Sequence, residues 1–381
     1  MSKKYETKIT SIEITYNPNF KYDELTSSKL LSELNESKLF LDKFEGNYTL
    51  FTKSMDSYFG LKSFIKKSYN GQAVSNAWLK MYEMLTYYTK SGDLNIKSHL
   101  TMFGNAELPG AFLSATNHFL ADHFPKTKFK WLACSYLGDD PTKLGDVYGI
   151  YKHNRENWLM GSDLVGDLTK IDDIKAIAKK VNNAGGVDLY TSDAGIDVEG
   201  DYDGQEKRTL SLNYGQILSG LSVLNIGGCM ITKQYTYMSK FNQTLINYLS
   251  TIFKSFYICK PLTSRPANSE IYLVGCGFKG INILDRLYSV NCHMDFDFGT
   301  MISADIVIIA KDKIKDCIKD SLIELTKKQI EYLKEYKHYA DKTDDYYRLY
   351  NELSKQLYNE LSKKWIKMHK IKFLKSPINC D

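Results

Sequence analysis

The chain is expected to fold as an α/β protein. A mostly parallel sheet would carry helices on both faces over residues 71–300, between an N-terminal extension (1–70) and a helical C-terminal extension (301–381). Two observations predict this. From about Gly71, helical stretches alternate with short β-rich runs at Phe129–Cys134, Val187–Thr191, Gly228–Thr232, Ser255–Cys259 and Ile271–Val274. Strands that alternate with helices bury both faces of a sheet. Beyond about Ala310, apolar residues recur at helical spacing through Ile314–Tyr339 and Tyr346–His369. Ahead of the sheet, Lys8–Ile14 alternates like a strand, while Leu30–Leu41 and Met55–Lys67 are helix-like. In such a sheet ligands gather outside the carboxyl ends of the strands, where the strand order reverses. Gly110, Asp193 and Lys233 each fall at a strand end or its turn, so they can share one crevice.

Composition sets outer limits. The 381 residues are 43% hydrophobic and 25% charged, which suits a packed soluble protein and excludes wholesale disorder. No apolar run reaches the roughly 18 residues of a membrane span, and Met1–Glu6 has no apolar signal region. We therefore expect a cytoplasmic protein with no membrane partner. The seven cysteines, among them Cys134, Cys229, Cys276 and Cys380, lie far apart with no metal-ligand spacing. A net charge of +5 is too mild to identify a nucleic-acid partner by itself.

Three segments carry the chemistry. Leu189–Gly195 is an apolar strand that delivers Asp193 into a tight turn, where it can orient a hydroxyl or hold an ammonium, or equally serve as an Asx turn. Leu224–Lys233 places a lysine after a glycine turn and an apolar strand, a position that also suits a solvated strand end. In Lys260–Glu270, two prolines stiffen a loop around Arg265, and Glu270 then heads a buried strand, which calls for a cationic partner such as Lys80 or Lys233.

These segments lie in the order of a known pattern. From Tyr190 to Lys279 the chain resembles the FtsJ-type cap 2′-O-ribose methyltransferases, with their DGG…GG…K…KP.TSRPANSE.Y.V…GF, especially the form carried by large cytoplasmic DNA viruses. Upstream, Ser75-Asn76-Ala77-Trp78-Leu79-Lys80-Met81-Tyr82-Glu83 resembles the family's SRA..K..E helix, and Glu107-Leu108-Pro109-Gly110-Ala111-Phe112 resembles its APGGF cofactor loop. The resemblance implies a Rossmann-like S-adenosylmethionine-dependent fold and a catalytic tetrad of Lys80, Asp193, Lys233 and Glu270. Lys233 would activate the ribose hydroxyl, and the reaction would need no metal. Glu107, Leu108, Pro109, Gly110 and Phe112 would hold the methionine part of the cofactor, and Asp167, in a Gly166-Asp167-Leu168-Thr169 turn like the family's GD.T, its adenine. Leu108 and Ala111 depart from the pattern and narrow the loop. The acid expected after the second strand is not evident, Asp139 and Asp140 being too loosely placed.

The resemblance implies capped RNA as the partner, other capping enzymes as companions, and work in a host cytoplasm, with virions as a further location. For RNA contacts, Arg265 and Lys279 lie near the expected site in sequence. Lys355–Lys375 holds seven lysines and one acid, Glu360, interleaved with Trp365, His369 and Phe373. Lys363, Lys364 and Lys367 suit phosphates and the rings suit base stacking, or the stretch is the solvated face of a terminal helix. A competing signal is Gly275–Gly280, which spells G-x-G-x-x-G after a strand, with Asp295 about twenty residues on. Internal or ribosomal RNA as substrate, or a non-catalytic RNA-binding scaffold, are the alternative functions. As crevice residues, Lys80 and Lys233 are expected to contribute little to stability.

Overall fold

The computed structural model describes residues 9–44, 51, 55–136, 145–159, 165–195, 204–301, 316–341, 348 and 358–378. Asp139, Asp140, Cys380 and the starts of both expected C-terminal helices lie outside these residues. Among the described residues seven strands form one sheet in the order β1-β6-β7-β5-β4-β2-β3. They are β1 (Thr10–Glu13), β2 (His99–Asn105), β3 (Lys128–Ala133), β4 (Val187–Ser192), β5 (Leu224–Gln234), β6 (Phe253–Lys260) and β7 (Ile271–Phe278).

Strands β3, β2, β4 and β5 pair in parallel. Strand β7 runs against both β5 and β6, and β1 runs against β6. Five strands therefore share a direction and two oppose it, so the sheet is mixed. The reversal at β7 follows from its connection, because residues 261–270 are fewer than a parallel crossover needs. The chain leaves β2 toward β3 on one side and resumes at β4 on the other, so the strand order reverses between β2 and β4. That central strand, His99–Asn105, is not among the runs read from sequence, because His99, Thr101 and Asn105 break its apolar character.

The helices are α1 (Glu24–Lys38), α2 (Phe59–Tyr69), α3 (Asn76–Ser91), α4 (Ala111–His123), α5 (Ile150–His153), α6 (Ile171–Asn183), α7 (Gln205–Val223), α8 (Lys240–Ile252), α9 (Leu284–Tyr288), α10 (Cys317–Ala340) and α11 (Asn359–His369). Segments on both sides of the sheet-forming stretch share its core. Strand β1 extends the sheet edge on β6, α1 packs on α10, and α11 packs on α2 and α3. Beyond α11, Leu374 N–H donates to Tyr69 O (3.0 Å), and Gln72 exchanges two hydrogen bonds with the backbone of Ile378 (2.9 and 3.0 Å).

Two sequence expectations are corrected here. Trp365 and His369, read as stacking platforms, are 1% and 4% exposed and belong to the core, while Phe373 is 59% exposed. Helical spacing names a face without saying which way it turns. The G-x-G-x-x-G stretch is not a phosphate turn: Gly275 and Gly277 lie inside β7 and no helix follows until α9. Gly275 is small because a Cβ there would meet the Phe253 ring at 2.7 Å.

The C-terminal segment docks through buried histidines. His118 Nε2 faces Lys372 O (2.8 Å), His123 Nε2 faces His369 O (3.1 Å), and Asp122 accepts from Tyr82 and the Lys372 amide. Burial lowers the pKa of all three rings, and that of His369, beside Lys90 and His123, is pushed down to about 3. Below the ordinary histidine value, the unfolded chain takes up protons that these rings refuse. Stability is therefore lost as pH falls through about 6.5, continuing toward about 3 for His369. We expect His369→Phe to flatten the fall of the urea midpoint between about pH 7 and 5; an unchanged fall would place the dependence elsewhere.

Candidate active site

Two lysine–carboxylate pairs meet at the carboxyl ends of β4 and β5. Lys80 lies on α3, whose start is set by Ser75, the N-cap accepting from Trp78 N (3.3 Å). Its amine reaches both oxygens of Glu270 at 2.9 Å, and Ser264 Oγ donates to Oε1 (2.7 Å). Opposite, Lys233 near the end of β5 donates to the Asp193 carbonyl (2.8 Å) and stands 3.3 Å from its carboxylate. Tyr272 joins the pairs: its hydroxyl donates to Asp193 Oδ1 (2.8 Å), and the Lys80 amine lies 5.3 Å from its ring centre. The four residues expected from the sequence thus occupy one place, although nearly two hundred positions separate Lys80 from Glu270.

Burial makes the electrostatics strict. Lys80, Lys233 and Glu270 are each at most 9% exposed, and Asp193 is partly buried. Burial opposes ionisation of Glu270, but Lys80, Lys233 and Lys260 overcome it and hold the carboxyl well below its usual range. Lys260, at the end of β6, donates to Glu270 O (2.7 Å) and Asn268 O (2.8 Å) and so folds the loop that presents Glu270. Burial, partly offset by Glu270 and reinforced by Lys80 and Arg265, pushes its amine down to about 7. Ser264, Lys260 and Tyr272 were not singled out from the sequence, although all three stand in the pattern the chain resembles.

Glu83, one turn beyond Lys80 on α3, braces the same loop from behind. Its carboxylate accepts from Trp365 Nε1 on α11 (2.6 Å) and from Thr263 N (3.2 Å). Burial raises its pKa to about 7 against those bonds.

The loop from Ala106 to Gly110 leaves β2 beside this cluster. Leu108 N–H donates to Ser135 Oγ (2.8 Å) and Glu107 N–H to Cys134 O (3.1 Å), tying the loop to the end of β3. Gly110 has φ +100°, a backbone conformation in which a side chain is strained, and a Cβ there would meet the tip of Ile150 at 2.5 Å. The Glu107 side chain turns inward, its Oε1 accepting from Phe112 N and Leu113 N (both 2.9 Å), which caps α4. Burial, with Asp193 adding, pushes its pKa up to about 8. Phe112 is buried and Leu108 half-buried against the core. Gly166 packs on Ser135, where a Cβ would lie 2.6 Å from the carbonyl oxygen, and so brings Asp167 to the end of β3 as well. Asp167 accepts from Thr169 N (2.9 Å) and Oγ1 (2.6 Å). Burial resists its charge, but these bonds and Lys170 hold its pKa below the ordinary value.

The basic candidates separate. Arg265 is half-buried in the loop before Glu270. Lys363, Lys364 and Lys367 are exposed on α11. Lys279 is a correction: because β7 is reversed, it emerges at the opposite end of the sheet from Glu270, roughly 25–30 Å away at strand rise, and donates to Thr251 O (2.9 Å). Among the described residues, no group of three or more His, Cys, Asp or Glu could hold a metal ion, and no helix is long and apolar enough to cross a membrane.

The expectation that Lys80 matters little to stability is also corrected by its burial against Glu270. Lys80→Met should lower unfolding free energy by about 3–5 kcal/mol, because it strips a buried carboxylate of its bidentate partner. Lys80→Met/Glu270→Gln should recover most of that loss in urea melts; two additive losses would contradict the pairing.

The chain is similar to several known proteins. A probable methyltransferase of African swine fever virus, EP424R, is 42% identical over 234 residues, 58% of this chain and 53% of that one. The uncharacterized protein L511 of Acanthamoeba polyphaga mimivirus is 30% identical over 368 residues, 92% of this chain and 45% of that one. The cap-specific mRNA (nucleoside-2'-O-)-methyltransferase 2 of Drosophila melanogaster is 30% identical over 218 residues, 55% of this chain and 31% of that one. The chain therefore spans about half, or less, of the length of these relatives. Residues 73–278 match the model of the FtsJ-like methyltransferases, a span that starts ahead of the helix bearing Lys80 and closes on the last residue of β7. The span is more than half of the 381 residues, and the chain belongs to the FtsJ-like methyltransferase family.

Proposed function

We propose that this chain transfers a methyl group from S-adenosylmethionine to a ribose 2′-hydroxyl of RNA near a capped 5′ end, with Lys80, Asp193, Lys233 and Glu270 as its catalytic set. The observation that carries this reading is the meeting of two buried lysine–carboxylate pairs at the strand ends, beside the Ala106–Gly110 loop. The name of the Drosophila relative supports the choice of a ribose hydroxyl and a cap.

The residues present fit such a cofactor. The Ala106–Gly110 loop and the Asp167 turn both meet the end of β3, through Ser135. Glu107, Leu108, Pro109, Gly110 and Phe112 would shape the methionine side of the site, and Asp167 the adenine side. S-adenosylmethionine, when bound, supplies a sulfonium methyl open to in-line attack.

The rest falls to the chain's own groups. A ribose hydroxyl is a weak nucleophile, so its proton has to be taken as the new bond forms. Lys233 takes it, and Asp193 offsets the charge that the amine gains. Lys80 spends two of its N–H bonds on Glu270 and keeps the third for the oxygen as it turns anionic. Holding hydroxyl and methyl in near-attack geometry supplies much of the remaining acceleration.

A tritiated-methyl transfer assay on capped, uncapped and 2′-O-methylated RNAs tests this. Capped RNA should be labelled, uncapped RNA labelled less, and RNA already blocked at the ribose not at all. Lys233→Ala should cut turnover at least about a hundredfold with cofactor affinity retained. Equal labelling of uncapped RNA would move the substrate to internal sites, and no labelling with no cofactor heat would make the chain a scaffold.

We assign phosphate contacts also to Arg265 and to Lys363, Lys364 and Lys367. Replacing the three α11 lysines by Ala should weaken RNA binding and lower its salt slope by about 0.7 for each phosphate that is no longer neutralised. An unchanged slope would return α11 to a solvated face.

A further inference from the structure

Tyr235 is the first residue beyond β5, two positions after Lys233. The alternation of an extended chain puts the two side chains on one side of the sheet, and the Lys233 amine stands 5.9 Å from the centre of the Tyr235 ring. The phenol therefore leans over the strand ends where the lysine–carboxylate pairs meet. Tyr235 is half-buried, and among the described residues its hydroxyl makes no hydrogen bond. A phenol drawn into a protein usually finds a partner, so one left without it beside these charged groups points to a partner that comes with the substrate.

Gly195 marks where that hydroxyl points. A Cβ on Gly195 would lie 3.0 Å from Lys233 Nζ and 3.2 Å from Tyr235 Oη, so the two atoms flank one spot, which the glycine leaves clear. Gly195 is itself exposed, and the spot opens outward. Burial, with Glu270 and Asp193 adding and Lys80 opposing, pushes the phenol up to about 12, so it keeps its proton and serves as a donor. A packing role would be to cover the stem of Lys233, and the ring alone does that; the hydroxyl adds nothing to such a cover. It fits instead an acceptor next to the group that Lys233 meets. In RNA the 2′-hydroxyl sits on the carbon beside the one that bears the 3′-phosphate, so the oxygens of that linkage come within reach when the 2′-oxygen is at the amine. Tyrosine hydroxyls are among the groups that fix the register of a nucleic acid through its phosphates.

Resting on the function proposed above, we infer that the Tyr235 hydroxyl donates to a non-bridging oxygen of the phosphate that follows the reacting ribose, and so sets the register of the RNA strand on Lys233. Gly195 leaves the room in which ribose and linkage lie side by side.

The test uses the full chain in methyl transfer to a capped RNA oligonucleotide, after nuclease digestion has located the nucleotide that wild type labels. Tyr235→Phe should lower kcat/KM for RNA about ten- to hundredfold, the value of one hydrogen bond to a charged acceptor, with S-adenosylmethionine affinity and melting temperature unchanged. The decisive RNA carries sulfur in place of one non-bridging oxygen at the linkage after the labelled nucleotide, as each of its two diastereomers. Sulfur is a poor acceptor, so one diastereomer should slow wild type several-fold, while Tyr235→Phe should use both as it uses ordinary RNA. Wild-type kcat/KM in Tyr235→Phe would overturn the assignment and leave the proposed function intact. So would equal use of the two diastereomers by wild type, or a slowed variant that still tells them apart, since the hydroxyl would then act elsewhere. Failure of wild type to label any RNA would overturn the proposed function and the assignment with it.

Discussion

The site depends on the cost of burying charge. Four titratable groups brought out of water at the end of a sheet are tolerable only if each finds a partner, and the crevice supplies one to each. Glu270 satisfies Lys80 with both oxygens, and Ser264 takes part of what is left. Lys233 draws on the carbonyl as well as the carboxylate of Asp193, so its position is set by backbone as much as by charge. Tyr272 donates to Asp193 and offers its ring face to Lys80, bridging the pairs without adding charge. The arrangement is held in place by its own bonds.

A second constraint acts on the loop beside it. The N-terminus of a helix at a strand end is a ready anion site, but here Glu107 fills it from within by accepting from Phe112 and Leu113. Two amides of the first turn of α4 are therefore already taken from inside the protein. Gly110, at φ +100°, turns the loop into α4 in a conformation that side chains rarely adopt.

Much of this was legible from residue order. The four residues that meet here could be named because they stand in segments whose spacing and punctuation are distinctive, Lys260–Glu270 above all. What stayed hidden has definite physical causes. The central strand β2 carries too many polar residues to announce itself. Lys279 follows Glu270 closely in sequence but not in space, since strand direction decides which end of the sheet a residue reaches, and β7 is reversed. Trp365 and His369 share a helix with exposed lysines, and only the docking of that helix on Glu83 and Tyr82 turns the rings inward.

The bond between Trp365 and Glu83 bears on how the molecule divides. Glu83 holds Thr263 on its other side, so α11 is joined through two hydrogen bonds to the loop that presents Glu270. Strand β1 likewise closes the edge of the sheet on β6, whose final residue, Lys260, folds that loop. The stretch that defines the family is therefore not a module to which ends were appended. Cut at 73 and 278, it would lose the edge strand β1 and the Trp365 partner of Glu83, so the folding unit is larger than the stretch that identifies the family.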